Sequence, residues 1–416
     1  MSILWRRNKN IMGQVLVNEE AGIKALSEAL GWVDVKGYGA KGDGTTDDTA
    51  AIQAAIDAAS GAVLFPSGIY AISDSLVLRS ATTYLGPQGG TFITGEEHPS
   101  VGYGAALKWI GAASGTMVNG TDVLHVYWDG IDLDGVDVAD TVKGFTWLND
   151  AALTRHVHMT NFRIFNCGTG IQIGAAGGDS NLDGFTIKHF RMYMCNTGIH
   201  CMSQNTGYSS FENGMIDIYK KGIYLEGAGF VNIRDIAFAG LQNMVAGDGF
   251  IVASVHGAIT IQQTQGETGA FTGWNHLVAV GSGTYKPITL ISNTIDRAIS
   301  IESNRKIISI GNNYNAGVTL TAATTGAWWE SNSDYYASGI GITDSGANNI
   351  ITEINPYYTG GITATSLMRT KFNNVVVSNF KYSIPTYADN AAAKVGGLVD
   401  GDIYRTSTGI VMVVYT

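Results

Sequence analysis

The chain has 416 residues, among them 54 glycines and only 6 prolines, with 45% hydrophobic and 14% charged residues and a net charge of -10. That length and apolar content suffice for an extended core rich in tight turns, and the acidic balance without a basic patch argues against a nucleic-acid surface. No apolar run approaches the roughly 18 residues needed to span a bilayer, so no membrane insertion is expected, and 3 cysteines are too few for a disulfide scaffold or a zinc site. No metal or other cofactor is expected.

The opening MSILWRRNKN is basic, but no apolar stretch of signal-peptide length follows it, so export by that route is not expected. Asn18 is placed to cap a short helix with Glu19 and Glu20 in its first turn, Ile23, Leu26 and Leu30 as a narrow apolar stripe, and Gly31 as its stop. A stripe so narrow needs a partner, either the neighbouring domain or further copies of itself.

Residues 34–72 are the most specific stretch. Gly37, Gly39, Gly42 and Gly44 form a glycine-rich turn leading into Asp47 and Asp48 at the head of an alanine-rich helix that bears Ile52 and Ile56. The strand 63–65 and a turn Pro66, Ser67, Gly68 follow. Acidic residues belong at the helix start, where free N–H groups and the positive dipole end are found. The segment closely resembles the opening of the pectate-lyase-like superfamily of right-handed β-helix proteins, through Gly39-Ala40-Lys41-Gly42-Asp43-Gly44, Asp47-Asp48-Thr49, Ala51-Ile52, Ala55-Ile56 and Pro66-Ser67-Gly68-Ile69-Tyr70. The resemblance implies that this segment caps a β-helix and covers its strand edge, and that Asp43, Asp47 and Asp48 are structural.

Between residues 131 and 252 a pattern repeats five times, a glycine followed by apolar, polar and apolar residues: Gly144, Gly170, Gly198, Gly222 and Gly249, at intervals of 26, 28, 24 and 27. Near-constant spacing marks a solenoid, and the alternation marks half-buried strands. Two further alternating pairs precede each glycine, such as Val157 with Met159 and Phe162 with Ile164. Three short strands per coil predict a right-handed parallel β-helix, an all-β fold. Cys167 and Cys195 each precede their glycine by three residues and should stack in neighbouring rungs, with Cys201 inward beside Ile173, all as core fillers.

Beyond residue 252 the phase is harder to read, but patterned segments persist at 258–261, 276–280, 288–291, 298–301, 307–310, 318–320, 350–354 and 375–377. The expected domains are therefore 1–33 as an N-terminal anchor, 34–382 as the β-helix and 383–416 as a small terminal module. The tail, DNAAAKVGGL then GDIYRTSTGIVMVVY, reads as a short helix and a β-hairpin and resembles a terminal module common in phage virion proteins. With the opening segment it implies a bacteriophage tailspike or tail-fibre protein. Such a protein binds, and in its enzymatic form cleaves, a bacterial capsule or O-antigen polysaccharide. It is expected as a homotrimer joined through its N-terminus to other tail proteins. A non-catalytic structural virion component or adhesin is the alternative, and a cellular polysaccharide lyase the third reading.

Counting 14, 12 and 10 residues back from each glycine gives the outward positions of the first strand: Gly130, Asp132, Asp134; His156, His158, Thr160; Gly184, Thr186, Lys188; Tyr208, Ser210, Glu212. Rungs lie about 4.8 Å apart, so Asp132 is expected to neighbour and orient His158. Asp132 and Asp134 stand at the spacing of a glycosidase carboxylate pair. Catalysis is accordingly expected at Asp132, Asp134 and His158. Substrate binding is expected at His156, Arg163, Lys188, Arg191, Tyr208 and Glu212, with Arg163 and Arg191 clamping a sugar carboxylate or pairing with acids of a neighbouring subunit. Trp328, Trp329, Tyr335 and Tyr336 form the densest aromatic cluster. The NTD, DD, GHG and RIK motifs of polygalacturonases are missing, as are a nucleophile elbow, HExxH and a phosphate loop.

Overall fold

A computed structural model of the chain describes residues 31–87, 104–136, 141–175, 182–202, 206–227, 229–243, 248–254, 257–266, 271–280, 286–302, 305–321, 324, 326–337, 340–346, 349–354, 357–358, 362–364, 386–408 and 411–415. The helix expected at 18–31 and the strand expected at 375–377 fall outside them. The chain forms two compact units, Met1–Asp217 and Ile218–Thr416. Both are parallel β-solenoids. The antiparallel pairing among the described strands is the terminal hairpin of Ile403–Arg405 with Val411–Val413, preceded by the helix Asn390–Val395.

The first unit opens as its sequence demands. Strand Trp32–Asp34 pairs with Ala62–Leu64, which pairs with Thr83–Leu85. The connecting turns put Gly39, Gly42 and Gly44 at φ 106°, 63° and 77°, where a side chain would be strained. Asp43 accepts the amides of Thr45 and Thr46 at 2.9 and 2.7 Å. Those bonds, the Thr46 amide foremost, hold its carboxyl well below the usual range. Asp47 accepts the Thr49 amide at 3.0 Å, at the head of the helix Thr49–Ala58. Asp48 turns away from that helix and accepts the amides of Lys41 and Gly42 at 2.6 and 2.9 Å, pinning the glycine turn while Ile52 and Ile56 are buried beneath.

Each later coil of this unit has three strands. Residues Thr154–Phe165 run through two of them, bending at Asn161 (φ 54°), and Thr169–Ile173 supplies the third. Val157 pairs in register with Val126 and Phe185, Phe162 with Phe190, and Ile171 with Phe145 and Ile199, so apolar residues stack on apolar residues. The recurring glycine has a packing cause. A Cβ at Gly144 would meet the carbonyl oxygen of Gly170 at 2.5 Å, and one at Gly170 that of Gly198 at 2.7 Å. Cys167, Cys195 and Cys201 are buried free thiols. Cys201 lies in register with Ile173, and the Asn196 amide donates to the Cys167 carbonyl at 3.1 Å. Contact with the Cys195 thiol, then burial, raises the Cys167 thiol well above its ordinary value.

In the second unit the coil length varies. Ile251 pairs with Leu277, Leu277 with Ile299, Ile299 with Val318 and Val318 with Ile342, so the repeat runs 26, 22, 19 and 24 residues. A buried polar ladder holds one corner: the Thr264 amide donates to Asn293 (2.9 Å), the Asn293 amide to Asn312 (2.8 Å) and the Asn312 amide to Asp334 (2.7 Å). Beside it the rings of Phe238, Phe250 and Trp274 stack at 5.4 and 5.2 Å. His276 is fully buried among them, its Nε2 sharing a 2.9 Å hydrogen bond with the Thr264 hydroxyl. The expected aromatic cluster divides by alternation: Trp329 and Tyr336 are core, whereas Trp328 and Tyr335 are 40% and 42% exposed.

Burial pushes His276 down to about 4, which sets a stability profile. The unfolded imidazole takes up its proton near pH 6.5 and the folded one only near pH 4, so this contribution is full above 6.5 and is lost as pH falls through that window. Urea denaturation between pH 7 and 4 should show a loss of about 3 kcal/mol that disappears in His276→Gln; parallel curves for the two proteins would refute it.

Candidate functional site

Four consecutive rungs of the first unit build one polar face. They are the strand Leu124–Asp129 and the first halves of Thr154–Phe165, Leu182–Cys201 and Ser209–Leu225. Val126, Trp128, Val157, Met159, Phe185, Ile187, Ser209 and Phe211 point inward and are buried. The residues between them form columns on the outside.

The first column is His125, His156, Gly184 and Tyr208. All four have left-handed backbones, with φ 56°, 56°, 75° and 54°. The His125 and His156 rings stack at 4.7 Å, and Tyr208 is 82% exposed. Two residues further along, Tyr127, His158 and Thr186 pair in register, with the Tyr127 and His158 rings stacked at 5.0 Å. Burial, and then the charges of His156, Lys188 and His125, lower the His158 pKa, so its imidazole is neutral near pH 7. The third column holds Asp129, Thr160 and Lys188 in register, and Lys188 pairs with Glu212 at 3.2 Å. Asn161 donates to Asp129 at 2.8 Å. Arg155 and Asp183 form an ion pair at 3.5 Å at the near edge.

His156, His158, Lys188, Tyr208 and Glu212 therefore meet on one face, as the coil count from Gly170, Gly198 and Gly222 expects. The coil of Gly144 does not obey that count. Its strand Ile131–Asp134 pairs with Ile164 and Phe165, in the second sheet, because five extra residues lie between Asp134 and Val142. Asp132 thus faces Arg163, not His158. It is buried and accepts from the Arg163 amide at 2.7 Å and its Nε at 2.9 Å. Asp134 is also buried and accepts from the Val136 amide and the Asn166 side chain, each at 2.9 Å. The outward dyad of Asp132 with His158 and the open Asp132, Asp134 carboxylate pair do not form. The positions they were given belong to His125, Tyr127 and Asp129, which sequence reasoning missed. The alternation Leu124-His125-Val126-Tyr127-Trp128-Asp129 was the available signal.

Arg163 and Arg191 stand in register as expected. Each has a carboxylate on its outer side, Asp132 for Arg163 and Asp217 at 3.0 Å for Arg191. Their guanidinium groups lie over the Phe165 and Tyr193 rings at 5.5 and 5.2 Å. The charge on each arginine is thus met within the unit. Among the described residues no group of three or more His, Cys, Asp or Glu side chains is arranged to hold a metal ion.

A solenoid of parallel strands, opened by a glycine turn and helix and lined by one polar face, defines a parallel β-helix. The model of the family described as rhamnogalacturonase A/epimerase, pectate lyase-like, matches residues 32–102. The capsule K30/K69-specific depolymerase 1 of Klebsiella phage K5-2 is 31% identical over 157 residues, covering 35% of this chain and 18% of that one. Plasmin and fibronectin-binding protein A of Streptococcus pneumoniae is 38% identical over 93 residues, 18% of this chain and 13% of that one. The chain thus spans less than a fifth of these curated relatives. In fold it is similar to the A-module of the mannuronan C-5 epimerase AlgE6 of Azotobacter vinelandii, with a TM-score of 0.50 at 15% identity over 81% of this chain and 99% of that one. Among the described residues no helix is long and apolar enough to cross a membrane.

The Asp132 and Arg163 pair makes a stability prediction. Asp132→Ala leaves a half-buried guanidinium without its carboxylate and should cost about 3 kcal/mol in chemical denaturation. Replacing both by Leu and Met should recover most of that loss. An Asp132→Ala protein as stable as the wild type would refute the pairing.

Proposed function

We propose that the chain is the β-helical part of a phage tail protein that binds a bacterial surface polysaccharide during host attachment, through the four-rung face of its first unit. The observation that carries this reading is the composition of that face. It gathers His125, His156, His158 and, 3.3 Å from the Thr160 hydroxyl through its Nδ1, His189, four of the chain's 8 histidines, with the exposed rings of Tyr127 and Tyr208. Stacked flat rings flanked by hydroxyls and ion pairs suit sugar rings, whose C–H faces are apolar and whose edges are hydrogen-bonding. The phage depolymerase relative supports the same substrate class. Action outside the host cell and a virion-tail location belong to this reading, as does assembly of three copies with other tail proteins at the N-terminus.

The face fits cleavage by β-elimination better than hydrolysis. Asp129 and Glu212 share a column but lie three rungs apart, about 14 Å, beyond the ~5–9.5 Å that two glycosidase carboxylates need. His158, neutral near pH 7, can instead take the C5 proton of a uronate while a C4–C5 double bond forms and the C4–O glycosidic bond breaks, the departing oxygen taking a proton from water and Lys188 neutralising the charge that develops. A purely adhesive role is the second reading. The carboxylates of this face are engaged, Asp129 by Asn161, Asp183 by Arg155 and Glu212 by Lys188, and an adhesin is among the relatives.

Incubation with purified K30 and K69 capsular polysaccharides, followed for reducing ends and for the ultraviolet absorbance of unsaturated uronate, separates the readings. Elimination should raise both signals, and His158→Ala should slow it by on the order of 10²–10⁴. Binding without either signal would establish the adhesive role. Absence of binding across a wide panel of bacterial capsules and O-antigens would sink the polysaccharide reading altogether. Sedimentation of the same preparation should give a trimer.

A further inference from the structure

Within the first column Gly184 is the position without a side chain. The rungs above and below it carry rings, His156 and Tyr208. The register places Gly184 between them: Val157 pairs with Phe185 one residue on, and the Gly184 amide donates to the Gly207 carbonyl at 2.9 Å, the bond that sets Gly184 opposite Tyr208. One face of the His156 imidazole is covered by His125 at 4.7 Å. Its other face looks onto Gly184, since a Cβ placed there would lie 3.2 Å from the His156 Cδ2. Tyr208 stands one rung beyond, projecting into solvent at 82% exposure.

The spacing has a chemical meaning. Stacked rings on this face repeat at the rung distance, 4.7 and 5.0 Å in the two observed pairs. The backbones of His156 and Tyr208 lie two rungs apart, about 9.6 Å. That spacing leaves one rung, the rung of Gly184, for a flat ring between them. We propose that Gly184 forms the floor of a sugar-ring slot, in which a pyranose of the bound polysaccharide is sandwiched between the His156 imidazole and the Tyr208 phenol. This rests on the polysaccharide-binding reading and deepens it.

The sandwich selects among sugars. A pyranose held on both faces must offer axial C–H groups on both, as the all-equatorial gluco configuration does. A galacto ring has an axial hydroxyl on one face, which would be pressed against an aromatic ring and lose its hydrogen bond to water. The edges of the inserted ring lie beside the Arg155 and Asp183 ion pair on one side, which offers a donor and an acceptor, and the Thr186 hydroxyl on the other.

The test is an array of bacterial capsular polysaccharides, K30 and K69 among them, probed with the full chain and with Tyr208→Ala and Gly184→Asn. Asparagine tolerates the left-handed backbone of position 184 while filling the slot, and circular dichroism confirms that each variant is folded. Each change should weaken binding roughly 3- to 10-fold, the range expected for loss of an aromatic stacking contact. The polysaccharides bound best should contain a gluco-configured ring. Unchanged binding by both variants, or wild-type binding confined to polymers without such a ring, overturns the slot and leaves the functional reading standing. Binding of no polysaccharide by the wild type overturns both.

Discussion

Parallel pairing at a fixed rung distance is the constraint on which the rest of this protein depends. Once a coil closes in register, each residue is committed to a neighbour about 4.8 Å away in the next coil, and a column must be chemically compatible with itself. The first unit shows the solutions in turn: apolar on apolar in the Val126, Val157, Phe185 column, ring on ring for His125 with His156 and Tyr127 with His158, and opposite charge for Lys188 with Glu212. Two like charges in register, Arg163 and Arg191, persist because each is neutralised from the side away from the other. The second unit meets the same constraint with amides, where Asn293 and Asn312 each give one amide and accept the next.

The polar face follows from alternation combined with a local departure from it. Regular alternation would place every second residue on the surface at equal height. The left-handed residues His125, His156, Gly184 and Tyr208 break the strand just before the regular stretch, which sets a second, separately angled column beside Tyr127 and His158. Such conformations are costly for bulky side chains. Their recurrence in successive coils is sustained because each bend nests on the one below.

Most of the architecture was legible because its signals are periodic. The glycines at Gly144, Gly170 and Gly222 could be counted, and the structure gives their cause in the carbonyl groups that approach them. The expected outward positions of the three coils ending at Gly170, Gly198 and Gly222 hold. The coil before them was misread because counting back from its glycine assumes a constant coil, and five residues inserted after Asp134 moved the true first strand back to Leu124–Asp129. That slip exchanged an exposed His125, Tyr127 and Asp129 for the buried Asp132 and Asp134. After residue 252 the repeat length itself varies, between 26 and 19 residues, so a fixed period cannot phase it although nearly every apolar segment was visible. Tertiary partners such as Asp217 for Arg191 have no sequence signal, because a side chain can reach a neighbour that no spacing rule selects.

The same insertion shows where this architecture can change. Residues added between Asp134 and Val142 leave Phe145 in register with both Val118 and Ile171, so a coil absorbs extra length between its strands while the stacked core continues undisturbed. The glycine column has the opposite character, since any side chain there collides with the next coil's backbone. Mutation is thereby channelled outward: turns and exposed columns are free to diversify while the closing glycines are held. A scaffold divided in this way can be retargeted from one surface ligand to another by drift at its rim, without passing through an unfolded intermediate sequence.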